Sequence, residues 1–250
     1  MLETTAADVA EFLALIAGAR RITAFTGAGI STECGVPDFR SPGSPWLKLP
    51  PIAFQAFVAS EANRREAWRR KFLIDDMWAG ALPGRGHLAL ARLAGQGRLR
   101  AAVTQNIDGL HQASGLGAED VIELHGNGTR AQCLDCARPY ALAPIRAALE
   151  DRGTLPHCAC GGIVKSATIS FGQPMPREAM RRALAASLDC DLFVVIGSSL
   201  AVHPAAQFPL VARDNGAALV ILNRDPTPLD SQADLCVRGD IGGILARVAE

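Results

Sequence analysis

Aromatic side chains are scarce, 5% of 250 residues, with one tyrosine, Tyr140, in the whole chain. Net charge is absent too: 25 basic residues balance 25 acidic ones. No global field is available to hold nucleic acid or an anionic membrane, and such a partner would need a local patch. No apolar run approaches the roughly 20 residues that span a bilayer. The longest runs, such as Asp191-Leu-Phe-Val-Val-Ile-Gly197, are strand-sized. The opening Met1-Leu-Glu-Thr-Thr-Ala-Ala-Asp8 carries acids where a secretory signal has basic residues, so a cytoplasmic location is expected. Internal repeats and low-complexity tracts are missing. What is present is the composition of a folded globular chain, 49% hydrophobic and 20% charged, long enough to bury a core without disulfides.

Periodicity divides the chain. Residues 6–19 space Val9, Phe12, Leu13 and Ile16 as a helix, and residues 21–26 read as a short buried strand entering Gly27-Ala28-Gly29. Strands at 99–104, 120–124, 192–196, 218–222 and 234–237 alternate with mostly helical connections, one of them over 87–94. Short, apolar, β-branched strands interleaved with helices predict an α/β fold with a doubly wound, Rossmann-like parallel sheet. Two inserts interrupt it. Residues 41–80 open with a Pro/Gly-rich loop and continue as a helical cap carrying Phe54, Phe57, Trp68, Phe72 and Trp78. Residues 129–164 hold a cysteine cluster. The expected division is therefore a Rossmann-like domain of residues 1–40, 81–128 and 165–250, with the two inserts packed together as a smaller lobe across a cleft.

Four of the seven cysteines form two close pairs, Cys133/Cys136 and Cys158/Cys160, with 21 residues between the pairs. In a reducing compartment this clustering reads as metal before disulfide, and four thiolates close a tetrahedral Zn²⁺ site. With no position open for water, such a zinc is structural. Coincidental buried thiols are the alternative. Gly161-Gly162 permits the tight turn that brings amides toward sulfur. Cys34, Cys190 and Cys236 stand outside the cluster and suit buried packing.

Gly27-Ala28-Gly29-Ile30-Ser31 after a strand suggests phosphate binding by backbone amides. The dehydrogenase fingerprint is incomplete, with Thr32 where its third glycine belongs and Lys48-Leu49 where an acid is expected, so hydride transfer is disfavoured. Three polar clusters follow strands: Ser31-Thr-Glu-Cys-Gly-Val-Pro-Asp38-Phe39-Arg40, Thr104-Gln105-Asn106-Ile107-Asp108-Gly109-Leu110-His111, and Glu123-Leu-His125-Gly126-Asn127. A lone histidine is more often structural than catalytic. Strand ends of one parallel sheet share a ligand-binding edge, however, and three such clusters raise the odds of a common site.

In this order these motifs, together with Pro37-Asp-Phe-Arg40, the cysteine pairs, Ile169-Ser-Phe-Gly172 and Gly197-Ser-Ser-Leu200, resemble the sirtuins of bacterial type, NAD-dependent protein lysine deacylases, from residue 20 to 243. The resemblance implies an enzyme that takes NAD as co-substrate, holds one structural zinc and acts on acyl-lysine proteins or peptides. Such enzymes break the nicotinamide–ribose bond, and the acyl-lysine carbonyl oxygen attacks the anomeric carbon, which leads to O-acyl-ADP-ribose. By the same likeness His125 is the catalytic base. Gly27, Ala28, Gly29, Asp38, Phe39 and Arg40 would cover NAD, with Phe39 shielding the reactive carbon. Gln105, Asn106 and Asp108 would hold the nicotinamide-ribose end. Gly197, Ser198 and Ser199 would face phosphate and ribose oxygens, Asn223 the adenosine ribose, and Cys236 and Val237 the adenine. Plain turn chemistry remains an alternative for Ser199 and Asn223. Ile169 and Phe171 would line the acyl-lysine tunnel.

Sirtuins that prefer succinyl or malonyl lysine resemble one another in a Tyr-x-x-Arg pair in the cap. Here Trp68-Arg69-Arg70-Lys71 stands in its place, so uncharged acyl groups are expected unless one of those cations reaches the tail. Cys-x-Cys also replaces the more frequent Cys-x-x-Cys in the second pair. His87, His157 and His203 match nothing catalytic and are read as surface or structural. The rivals are an NAD-dependent ADP-ribosyltransferase on the same scaffold and a non-enzymatic NAD- or zinc-binding module.

Overall fold

A computed structural model describes residues 4–38, 41 and 43–249. All six expected strands form: β1 (Ile22–Thr26), β2 (Leu99–Thr104) and β3 (Val121–Glu123), then, after three strands of a second sheet, β7 (Leu192–Ile196), β8 (Ala218–Leu222) and β9 (Leu235–Val237). They pair in parallel in the order β3-β2-β1-β7-β8-β9. The order reverses between β1 and β7, the point at which an open α/β sheet opens a crevice at its C-terminal edge.

The strands are buried on both faces, which explains their continuous apolar runs. On one face Ile22, Ala24, Val194, Val220 and Leu222 meet helices α1 (Ala6–Gly18), α5 (Arg85–Gly95) and α10 (Ile241–Ala246). On the other, Phe25, Phe193, Val195 and Ile221 meet α8 (Arg177–Leu188) and α9 (Phe208–Asp214). A reciprocal capping box, Thr5 with Asp8, starts α1. The buried strand hydroxyls are paired: Thr23 Oγ1 donates to the Ala186 carbonyl at 2.9 Å, and Thr26 Oγ1 to Thr104 Oγ1 at 2.8 Å.

Residues 41–80 form α2 (Pro45–Lys48), α3 (Phe54–Ala59) and α4 (Glu61–Met77), the expected helical cap. A short α6 (Leu110–Ala113) follows β2. The cysteine segment holds α7 (Leu142–Arg152) and a sheet that the hydropathy pattern did not reveal, β4 (Gly126–Cys133), β5 (Pro139–Tyr140) and β6 (Val164–Thr168), antiparallel in the order β5-β4-β6. Its first strand reads Gly-Asn-Gly-Thr-Arg-Ala-Gln-Cys and lacks apolar alternation, so the polar residues hid it. The two inserts share one core: Trp68 and Phe72 from α4 stack at 5.6 Å and pack with Ala131, Cys133, Ile145, Cys158 and Val164.

Trp68 is 2% exposed in a core of few large side chains. Trp68→Ala should therefore destabilise the small lobe by about 3–5 kcal/mol. Urea unfolding would show this as an early transition, with the Rossmann-like sheet melting later.

Candidate active site and metal centre

The two glycine turns at the switch point touch backbone to backbone. A Cβ on Gly29 would lie 2.6 Å from Gly197 Cα, and one on Gly27 would lie 2.7 Å from the Gly197 carbonyl oxygen. Gly27 N–H donates to the Ile196 carbonyl at 3.0 Å and Gly29 N–H to the Gly197 carbonyl at 2.9 Å. Two amides of the Gly-x-Gly turn are thus engaged in joining the loops, and the glycines serve close approach as well as any ligand.

The strand-end residues converge on this point. Gln105 Nε2 donates to Ser198 Oγ at 2.7 Å, and Asn106 Nδ2 to the Gly27 carbonyl at 3.0 Å. Asp108 accepts from Leu110 N at 2.9 Å and from Ser31 Oγ at 2.7 Å. Asp38 is half-buried and accepts from Ser41 N at 2.6 Å, tying down the loop after β1. Phe39 and Arg40 lie outside the described residues. Ser199 sits in the turn after β7. Asn223 follows β8, with Nδ2 on the Asp225 carbonyl at 2.7 Å. On β9, Cys236 is half-buried beside Asp230, whereas the Val237 side chain is 0% exposed and belongs to the core rather than to the cleft wall.

His125 lies in the two-residue step, Leu124-His125, by which the chain leaves β3 of the main sheet for β4 of the second. The next residue must be glycine: Gly126 has φ +71°, and a Cβ there would lie 2.0 Å from the Ala167 carbonyl oxygen. His125 Nδ1 is 3.0 Å from the Gln105 carbonyl. A carbonyl only accepts, so Nδ1 carries the hydrogen and Nε2 is left as the basic nitrogen. Burial lowers the pKa of the ring below the ordinary 6.5, opposed by the Gln105 hydrogen bond. Ile169 N–H donates to the His125 carbonyl at 2.8 Å, and the Phe171 carbonyl accepts from Phe54 N at 2.9 Å. Residues 169–171 therefore bridge from His125 to the helical cap, with the Phe171 ring 63% exposed.

Sequence reasoning passed over the floor of the site. His87 is fully buried rather than on the surface, and His111 beside it is 1% exposed. His87 stands beside Ser31, a residue the motif contained without a role, and His111 beside Thr26. His157 and His203 are exposed. A lone histidine within an amphipathic helix pattern gives no signal of what it faces.

In the small lobe the four cysteine sulfurs lie within 4.8 Å of one another. Cys133 and Cys160 are 3.6 Å apart, Cys136 and Cys158 3.5 Å. Disulfide sulfurs sit at about 2.05 Å, and Zn–S bonds of about 2.3 Å give tetrahedron edges of about 3.8 Å. The set fits zinc. Asp135 N donates to Cys133 Sγ at 3.4 Å, and a Cβ on Gly162 would approach that sulfur to 2.6 Å, so the turn around the metal needs glycine. The Cys160 N–H and the Tyr140 hydroxyl hold the Cys158 thiol down to about 6, whereas Cys160, against the Gly162 N–H, is pushed up to about 12 by the other three sulfurs.

Comparison with known proteins agrees with this geometry. A sequence model described as the Sir2 family matches residues 27–204. The chain belongs to the Sir2 family. It is 56% identical, over 92% of its own length and 91% of the relative's, to NAD-dependent protein deacetylase 1 of Bradyrhizobium diazoefficiens. It is 54% identical to the NAD-dependent protein deacetylase of Rhodopseudomonas palustris, with 92% of each chain covered. A solved Sir2 structure with a p53 peptide and NAD⁺ superposes with a TM-score of 0.84 at 37% identity, covering 95% of both chains. The doubly wound sheet and the four-cysteine cluster are thus those of a sirtuin, as the motifs implied. Among the described residues no helix is long and apolar enough to cross a membrane.

Because two of the four cysteines, Cys133 and Cys158, also belong to the core that Trp68 fills, metal binding should be coupled to folding of the small lobe. Cys133→Ala or Cys158→Ala should release about one zinc per chain, measured by metal analysis, and lower the melting temperature. Purified protein without zinc, or with the four cysteines disulfide-bonded, would overturn this assignment.

Proposed function

We propose that this sirtuin is an NAD-dependent protein lysine deacylase in which His125 is the base. The observation that carries the role of His125 is its Nδ1–H bond to the Gln105 carbonyl, which fixes a bare Nε2 where the sheet edge, the small lobe and the Ile169–Phe171 bridge meet. Bound NAD supplies the nicotinamide–ribose bond that breaks and the ribose that receives the acyl group. The residues of this chain do the rest. Asn106 and Asp108, locked to the Gly27 carbonyl and to Leu110 N, orient the nicotinamide end, and Gln105 holds the ribose beside His125. His125 Nε2 takes a proton from a ribose hydroxyl. Gly27, Ala28, Gly29 and Asp38, together with Phe39 and Arg40, cover the reacting carbon from water. Gly197, Ser198, Ser199, Asn223, Cys236 and Val237 hold the adenosine half. Cys236 would contribute its half-buried side chain and Val237 its backbone.

The substrate is an acyl-lysine peptide, laid between Ile169, Phe171 and the cap, much as a strand adds to an edge. The working division is the Rossmann-like domain of residues 1–40, 81–128 and 165–250, with residues 41–80 and 129–164 as the small domain. The setting is the cytoplasm, with neither nucleic acid nor membrane as partner.

The cap supports a preference for uncharged acyl groups. Each of the three cations in the Trp68-to-Lys71 stretch is already engaged: Arg69 and Arg70 hold Glu66, both at 2.7 Å, and Lys71 holds Asp75. Lys71 and Asp75 line a cavity of about 280 Å³ that reaches Ile107 and Asp108, so an acid tail entering from the site would meet the Asp75 carboxylate beside Lys71. A desolvated carboxylate without a free donor is strongly disfavoured.

Four measurements test the reading. Incubation with NAD and an acetyl-lysine peptide should give deacylated peptide and nicotinamide in equal amounts; transfer of label from NAD to protein instead would indicate ADP-ribosylation. His125→Ala should reduce turnover by roughly two to four orders of magnitude, with NAD binding retained. Because burial lowers the His125 pKa, the base stays neutral below pH 6.5, and the acidic limb of kcat/KM should fall under that value. On one peptide sequence, acetyl should exceed succinyl in kcat/KM by at least about tenfold, roughly 1.4 kcal/mol. Equal rates would refute the acyl assignment.

A further inference from the structure

Under the strand-end residues lies a Ser, His and Asp set, Ser31 and His87 both fully buried and Asp108 half-buried. Its hydrogen directions can be assigned one by one. The Asp108 carboxylate only accepts, so Ser31 Oγ donates its one hydrogen to Oδ2 at 2.7 Å. Asn106 Nδ2 only donates, and it fills one lone pair of Ser31 Oγ at 3.1 Å. The other lone pair faces His87 Nε2 at 3.4 Å. On the far side of the ring, Nδ1 receives the backbone N–H of Gly84 at 3.2 Å, so Nδ1 is bare and Nε2 carries the hydrogen. The chain of donors runs from Gly84 to His87, from His87 to Ser31 and from Ser31 to Asp108. This is the opposite polarity to a nucleophilic triad, in which histidine takes the serine proton.

We infer that His87 is a positioning residue for the cleavage step: its Nε2–H fixes the direction of the Ser31 hydroxyl and, through it, the Asp108 carboxylate. The inference rests on the reading that Asp108 orients the nicotinamide end. Three features hold the ring. It is fully buried, the His111 ring sits edge-on at 4.9 Å, and the Gly84 amide closes Nδ1. Protonating Nδ1 would set a donor against the Gly84 donor, and burial lowers the pKa of His87, so the ring stays a neutral single tautomer. With both lone pairs and the hydrogen of Ser31 assigned, the hydroxyl has one orientation. Without His87 it retains only the Asn106 donor, and both it and Asp108 gain freedom where the leaving group must be held.

The test combines kinetics with spectroscopy on the intact enzyme. His87→Phe, which keeps an aromatic ring and removes both nitrogens, should lower kcat for nicotinamide release at least about tenfold while KM for the acyl peptide moves less than about twofold. His87→Gln, which can still donate and accept, should recover most of the loss. Ser31→Ala should resemble His87→Phe, and the double variant should be no slower than the worse single one, since both break the same chain. Imidazole ¹⁵N shifts of the unmodified protein should show His87 protonated at Nε2 only. A Nδ1–H tautomer, additive single effects, or wild-type kcat in His87→Phe would each overturn the inference. If His87→Phe fails to fold, the tautomer and the Ser31→Ala and His87→Gln pair decide. An unmodified enzyme that releases no nicotinamide would instead count against the functional reading, and the tautomer measurement would still judge the hydrogen-bond chain.

Discussion

The contact on which the site depends is that of Gly29 against Gly197. Strands β1 and β7 are neighbours whose connections leave in opposite directions, and the crevice between those connections exists only if the two turns start in contact and then diverge. A side chain at either glycine would collide with backbone, which cannot swing away as a flexible side chain can. The two amide-to-carbonyl bonds from Gly27 and Gly29 then convert proximity into register, because they set the height of the β1 turn relative to the β7 turn. Every other strand-end group is placed relative to that seam. Asn106 reaches across to the Gly27 carbonyl and Gln105 to Ser198, so the β2 end is anchored to both sides of it.

A second constraint is polar burial. Thr26, Ser31, His87, Thr104 and His111 are all nearly inaccessible, and each donor or acceptor left unpaired there would be destabilising by about 1–3 kcal/mol. The network answers with mutual bonds, among them Thr26 Oγ1 with His111 Nε2 at 2.8 Å and Asn106 N with Thr104 Oγ1 at 3.0 Å. His111 Nδ1 is the exception and has no partner. Burial together with the neighbouring His87 holds its pKa down to about 3, so the exception is an uncharged one. A floor of this kind is rigid because no member can turn without stranding another.

Much of this was legible before any coordinates. The strands showed themselves because burial on both faces makes a continuous apolar run, and the metal site did so because four thiols at short spacing have few other uses. The strand-end clusters were readable as a site for a topological reason, since the C-terminal ends of parallel strands share one edge. Three things were not. The β4-β5-β6 sheet is built around a polar, glycine-rich first strand whose few apolar residues pack on α4 and α7, so hydropathy carried no period. The role of His87 depends on a neighbour 56 positions away, Ser31, and no local pattern reports such a pairing. The core position of Val237 follows from which face of β9 turns inward, and a three-residue strand is too short to declare that by alternation.

The junction between lobes is built differently from either lobe. Where each lobe has an apolar core, the crossing at residues 169–171 relies on backbone bonds at Ile169 and Phe54 and on Lys165. That lysine is 4% exposed, donates to the Thr168 carbonyl at 2.6 Å and sits 6.0 Å from the Phe57 ring of the cap, and among the described residues no carboxylate pairs with it. Burial pushes it down to about 8 from 10.5. The folded state therefore gives up this proton more readily than the unfolded one, and its contribution to stability improves as pH rises between those two values. Retaining an unpaired cation there is unfavourable for the fold. Its hydrogen bond ends on the carbonyl just ahead of Ile169, so the same group also fixes the backbone that enters the bridge of residues 169–171. A lobe boundary held by a few directional bonds can adjust its spacing with little loss of core packing, whereas a boundary closed by interlocked apolar side chains could not.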